Sequence, residues 1–181
     1  MNAQSGSAAL LQVVKSLRRA GSWTGKTHIQ KCVFLLKELC GVDLGYAYTL
    51  YKHGPYSFDL DAEIERLRII GTLDYEIAPQ YGPRYKIGAA SATNGFVDAK
   101  VAAAADEVAE FLGEKNVQDL ECISTLVWCA RNRPGASASQ EVLTSCVKEL
   151  KPHLSDTDVF RGLLALRAYK DALKLRYEAA A

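Results

Sequence analysis

Leu50-Tyr51-Lys52-His53-Gly54-Pro55-Tyr56-Ser57 is the stretch on which the fold of the first half of the chain turns. Before it, Tyr46, Tyr48 and Leu50 alternate with Ala47, Thr49 and Tyr51, which predicts a strand over 46–51. Gly54 admits a backbone geometry that a side chain would block, and Pro55 presets a turn, so the pair reads as the end of that strand. Ser57 or Asp59 then caps a helix carrying Leu60, Ile64, Leu67, Ile69 and Ile70, which Gly71 stops. Asp59, Asp61, Glu63 and Glu65 fill its first turns, where carboxylates complement the positive end of the helix dipole.

Working outward, two helices precede this corner. Leu10, Leu11, Val13, Val14 and Leu17 recur at helical spacing, with Ser7 as the expected cap and Gly21 as the stop. Thr24 or Thr27 caps the second helix, whose stripe is Ile29, Cys32, Val33, Leu35, Leu36 and Leu39. Lys26, His28, Lys31 and Lys37 fall mostly on its other faces. After the corner, 73–77 and 84–87 alternate around a Pro/Gly loop, which predicts a β-hairpin. Helix, helix, short strand, helix, hairpin is the winged-helix order, with the hairpin as the wing. Ser91-Ala92-Thr93-Asn94-Gly95 is the expected boundary. Beyond it, helices are expected over 96–112, 117–131, 139–150 and 156–177. The expected fold is mainly α with a small β-hairpin (α+β): a winged-helix-like domain over 7–90 and an all-helical lobe over 95–181.

The bulk numbers set limits on function. The 181 residues carry 22 Lys and Arg against 21 Asp and Glu, a net charge of +1 that draws the whole chain toward no polyanion. Residues 1–90 hold 11 basic and 8 acidic side chains, and 91–181 hold 11 and 13, so a polyanion contact would fall in the first half. No stretch approaches the roughly 20 apolar residues of a membrane span, and no leader pattern is visible. A cytoplasmic protein without a membrane partner is therefore expected. Cys32, Cys40, Cys122, Cys129 and Cys146 are an odd, scattered set in apolar surroundings, which reads as buried thiols in a reducing compartment. No CxxC pair or comparable ligand spacing predicts a metal, and no cofactor is expected.

Lys26-Thr27-His28-Ile29-Gln30-Lys31-Cys32-Val33-Phe34-Leu35-Leu36-Lys37, then Leu44-Gly45-Tyr46, then the Tyr51–Ser57 stretch, resemble the YwgA-like family of uncharacterised prokaryotic proteins. That family carries a K-L-Q-K-L-x-Y-L-L-type helix followed by L-G-Y and Y-G-P-Y-S. More distantly the chain is similar to the Panacea, or SocA-like, antitoxin domain. The resemblance covers 24–87. His28-Ile29 stands where Lys-Leu or Arg-Leu is usual, and Phe34 where Tyr is common. The resemblance implies a winged-helix-like fold and a place in a toxin–antitoxin, phage-defence or regulatory system.

Several residues are candidates for contact. His53 and Tyr56, beside the first amides of the third helix, outline an anion or peptide site. Tyr51 and Tyr81 join them as candidate protein contacts in a region holding seven of the nine tyrosines. The same rings would suit a stacking platform for single-stranded nucleic acid, while β-propensity and core filling are their plain structural account. Lys26, His28, Lys31, Lys52, Arg84 and Lys86 are the candidate nucleic-acid contacts. Against a standard recognition helix stand the four carboxylates at 59–65, which would repel phosphates. His28 and Cys32 are four apart, but no third group completes a nucleophile set, and no catalytic residue is named. The expected function is thus a non-catalytic interaction or regulatory module binding a protein partner. The alternative is a winged-helix nucleic-acid-binding regulator using helix two and the wing. The long last helix closes an intramolecular bundle or, alternatively, a homodimer.

Overall fold

The computed structural model describes residues 3–79, 82–93, 97–132 and 139–179. The protein is mainly helical with small antiparallel sheets, an α+β arrangement. Among the described residues, seven α-helices accompany two two-stranded sheets. The chain divides into two compact units, Met1–Val117 and Gln118–Ala181.

In the first unit, α1 (Ala3–Arg19) and α2 (Lys26–Cys40) are joined by a short turn. α1 starts earlier than the sequence suggests, so Ser7 is inside the helix, where its hydroxyl donates to Glu63 Oε1 at 2.7 Å. Gly25, not Thr24 or Thr27, is the N-cap of α2. Thr24 takes a left-handed φ of 57°. There its carbonyl accepts the Tyr85 N–H, at 3.0 Å.

α2 is buried without interruption from His28 to Leu36. It packs against α1, α3, α4 and both hairpins, so no face is left to solvent over these nine residues. The expected amphipathic stripe assumed one covered face. The positions it assigned to solvent include His28 and Lys31, 4% and 1% exposed.

The corner is a hairpin. β1 (Thr49–Tyr51) pairs with β2 (Gly54–Tyr56), with Leu50 opposite Pro55. Pro55 therefore lies within a strand instead of ending one. A two-stranded sheet tolerates this, because each strand has an edge that needs no ladder N–H. Gly54 has a φ of +85°, which lets the Lys52-His53 turn re-enter the strand. α3 (Phe58–Ile69) follows, with the Ser57 hydroxyl capping it by accepting the Leu60 N–H at 3.2 Å. Leu60, Ile64 and Leu67 face the core.

β3 (Leu73–Ala78) and β4 (Gly82–Ile87) form the second hairpin. α4 (Ala99–Leu112), capped by Asp98, buries Ala105, Val108, Ala109 and Leu112 against α1 and α2. Asp106 on α4 accepts from Ser16 and Arg19 on α1. The sequence boundary at 91–95 would assign α4 to the helical lobe. Its small, apolar face joins it to the first unit instead.

The second unit holds α5 (Val117–Asn132, of which Val117 still belongs to the first unit), α6 (Gln140–Leu150) and α7 (Asp156–Ala179). Cys122, Leu126, Cys129, Cys146, Val147, Leu154 and Val159 form its core. α7 opens on a capping box. The Ser155 hydroxyl accepts the Asp158 N–H, and Asp158 Oδ2 accepts the Ser155 N–H. Gly162 lets α7 approach α5, since a Cβ there would lie 2.9 Å from Leu126 Cδ1. Val159 is buried and Leu163 and Leu166 pack on the core, while Phe160 and Leu164 are 51% and 47% exposed.

Cys129 and Cys146 form a disulfide between α5 and α6, with their Cα atoms 6.2 Å apart. This corrects the expectation of five reduced cysteines. Closing a loop of this size stabilises a fold by about 3 kcal/mol in the chain-entropy account. Among the described residues, no helix is long and apolar enough to cross a membrane.

Candidate functional site

The rings of Tyr51, Tyr56 and Phe58 meet at the end of the first hairpin. Their centroids lie 5.2–5.6 Å apart in tilted and edge-to-face arrangements. Such geometry is attractive between ring edges and faces. Tyr51 is 55% and Phe58 59% exposed, while Tyr56 is half-buried between them. Burial, reinforced by the Asp61 carboxylate, pushes the Tyr56 phenol up to about 12. It therefore stays protonated at neutral pH.

Side chains of α2 hold the backbone under this cluster. Gln30 Nε2 donates to Ser57 O at 2.8 Å, and the Ser57 N–H donates to Gln30 Oε1 at 2.9 Å. Lys31 Nζ donates to Pro55 O at 2.7 Å. The Gln30-Lys31 and Pro55–Ser57 stretches, far apart in the sequence, touch in this fold.

The candidate cations are placed differently from expectation. Lys31 and His28 are buried and present nothing to a phosphate. Burial lowers His28 from its ordinary value, against a hydrogen bond with the Lys115 backbone that favours the proton. Lys26 Nζ sits 2.6 Å from Asp61 and 3.6 Å from Glu65. Arg84 lies 3.7 Å from Glu76 and 5.6 Å over the Trp23 ring, and Lys86 lies 3.5 Å from Asp74. Lys52 and His53 are exposed on the turn between β1 and β2. Tyr81 lies outside the described residues.

On α3, Glu63 pairs with Arg66 at 2.7 Å and Glu65 with Arg68 at 2.8 Å. The two arginines that would offset the acidic helix are thus engaged on it. Asp59 is exposed and has no ion-pair partner among the described residues. The Leu60 N–H is already taken by the Ser57 hydroxyl, so the helix start is less open to an anion than the sequence suggested.

Cys32 is fully buried, and burial pushes its thiol well above the ordinary value. Thiolate formation there is disfavoured, as is a protonated His28 beside it. In the second unit, Glu121 and Lys151 form a buried pair at 3.1 Å, with His153 Nε2 3.4 Å from the same carboxylate. Among the described residues, no three His, Cys, Asp or Glu side chains gather as metal ligands would.

Sequence reasoning missed Phe58. Its signal was available: Phe58 opens α3 immediately after the cap but lies off the Leu60–Ile64–Leu67 stripe. An apolar ring off the buried stripe is a candidate for the surface. Compared with protein-family models, curated proteins and solved structures, the chain has no match.

Proposed function

We propose that the chain is a non-catalytic regulatory module whose first unit, winged-helix-like, binds a protein partner through the Tyr51–Tyr56–Phe58 corner. The observation that carries this reading is the exposure of two large rings on an anchored backbone. Tyrosine and phenylalanine on a fixed support supply contact area with little conformational entropy to lose, as hot-spot residues do. The order of α1, α2, first hairpin, α3 and second hairpin supports the winged-helix description. The acidic first turns of α3 and the paired cations of the second hairpin favour a protein over a polyanion. The YwgA-like and Panacea-like resemblance supports a place in a prokaryotic toxin–antitoxin, phage-defence or regulatory system.

The test is purification from the native host of the intact chain and of a Tyr51→Ser/Phe58→Ser variant. The reading expects one stoichiometric protein that the variant loses while keeping its fold by circular dichroism. Nuclease-sensitive nucleic acid that survives this variant, but is lost on Arg84→Glu/Lys86→Glu, would replace it with the nucleic-acid-binding alternative.

A further inference from the structure

We infer that Gln30 and Lys31 are positioning residues that set the presentation of the aromatic corner from inside α2. The inference rests on the protein-binding reading of that corner.

Both side chains are interior, 0% and 1% exposed. An apolar side chain of similar length would occupy the position of Lys31 without the cost of burying an ammonium group. What lysine adds is a donor with a fixed direction, and it points at Pro55 O. Gln30 adds a donor and an acceptor that engage both backbone groups of Ser57. The anchored residues, 55 and 57, stand on either side of Tyr56, and Phe58 follows directly. Tyr51 closes the cluster by packing on both rings.

The strands of this hairpin are three residues each, and an isolated two-stranded hairpin is marginal in water. β2 pairs with β1 and packs on α2. The side chains of Gln30 and Lys31 thus supply hydrogen bonds to this segment that a third strand would otherwise make. Without them the rings would remain attached, but their relative placement would no longer be fixed. A surface that binds by rigid aromatic contact would weaken more than the fold would.

The experiment combines amide exchange by NMR with photo-crosslinking from position 58 in native cells, on the full chain. In the unmodified protein the Ser57 amide is expected to exchange as slowly as interior amides of α2. In Lys31→Met, exchange over 54–57 should rise at least tenfold while amides of α1 and α4 stay as they were. The position-58 adduct should fall by a similar factor, and Lys31→Gln, which keeps a donor, should lie between. A Ser57 amide that exchanges like an open loop in the unmodified chain overturns the anchoring, whether or not the variant folds. A loosened hairpin with an undiminished adduct overturns the positioning role alone. No adduct at position 58 in the unmodified chain overturns the binding reading and the positioning role with it, even where Ser57 is protected.

Discussion

The two hairpins of the first unit begin from similar sequence and end in opposite roles. Both are rich in tyrosine, and both carry Gly and Pro. In β3–β4, Tyr75 and Tyr85 pack edge to face at 6.1 Å, and Tyr85 is 3% exposed. The Tyr85 N–H is taken by Thr24 O, and its carbonyl accepts from Arg18 at 3.0 Å. The charges of this hairpin pair across its strands, Arg84 with Glu76 and Lys86 with Asp74. It uses its aromatic and charged groups within the fold. In β1–β2 the fold holds the backbone, through Gln30 and Lys31, and leaves the Tyr51 ring outside with Tyr56 half-buried beside it. Alternation marks a half-buried strand, but the neighbour covering one face decides whether a tyrosine is core or surface.

That contrast can be broken most forcefully at the tyrosines. Tyr85→Ala should cost about 3–5 kcal/mol in urea unfolding, the range for deleting a buried ring. Tyr51→Ala should cost less than about 1 kcal/mol and yet abolish partner capture. Equal stability losses would mean the two hairpins are not different in kind. Next, Ser57→Ala removes the cap of α3 and should cost about 1 kcal/mol, seen as a lower urea midpoint at unchanged slope. Third, Asp74→Asn/Glu76→Gln should change stability by no more than about 1 kcal/mol, because both pairs are solvent-accessible. The same change releases Lys86 and Arg84 and should raise the salt needed for elution from heparin. Tight retention of the unmodified chain would show that the second hairpin is already open to polyanions.

The smallest expected effect is acid sensitivity at α3. Glu63 is held below its ordinary value of 4.5 by the Arg66 hydrogen bond, with burial opposing, and Glu65 likewise by Arg68. A carboxylate with a depressed folded-state value contributes stability that is fully present above 4.5 and lost as pH falls through the folded value. The urea midpoint should therefore decline below about pH 5, on top of the loss that buried His28, held below its ordinary value of 6.5, contributes from about pH 6.5 downward. Glu63→Gln should make that decline shallower, and an identical pH profile in the variant would remove Glu63 from the account.

Much of the framework was legible before the structure. The Ser57 cap, the core positions Leu60, Ile64 and Leu67, the second hairpin and the bounds of α5 and α6 follow from local chemistry. What failed needed knowledge of neighbours. Periodicity separates one buried face from one exposed face, and it cannot describe a helix such as α2 that is covered all round. Lys31 and His28 were therefore read as surface cations. Gly54 and Pro55 are turn formers by composition, so the short strand they begin was not anticipated. Cys129 and Cys146 are 17 residues apart on different helices, and spacing says nothing about such a pair. Of the three rings that meet at the corner, the sequence reading named Tyr51 and Tyr56 and passed over Phe58, although its place off the Leu60–Ile64–Leu67 stripe was legible.

The most direct test compares two exposed apolar positions, one on each side of the contrast. Phe58 is 59% and Ile77, on β3, 71% exposed, so accessibility alone favours the second. With a photo-crosslinking amino acid at each position in native cells, the account predicts one dominant protein adduct at position 58 and none at position 77. A nucleic-acid adduct at position 77, with nothing captured at position 58, would contradict it.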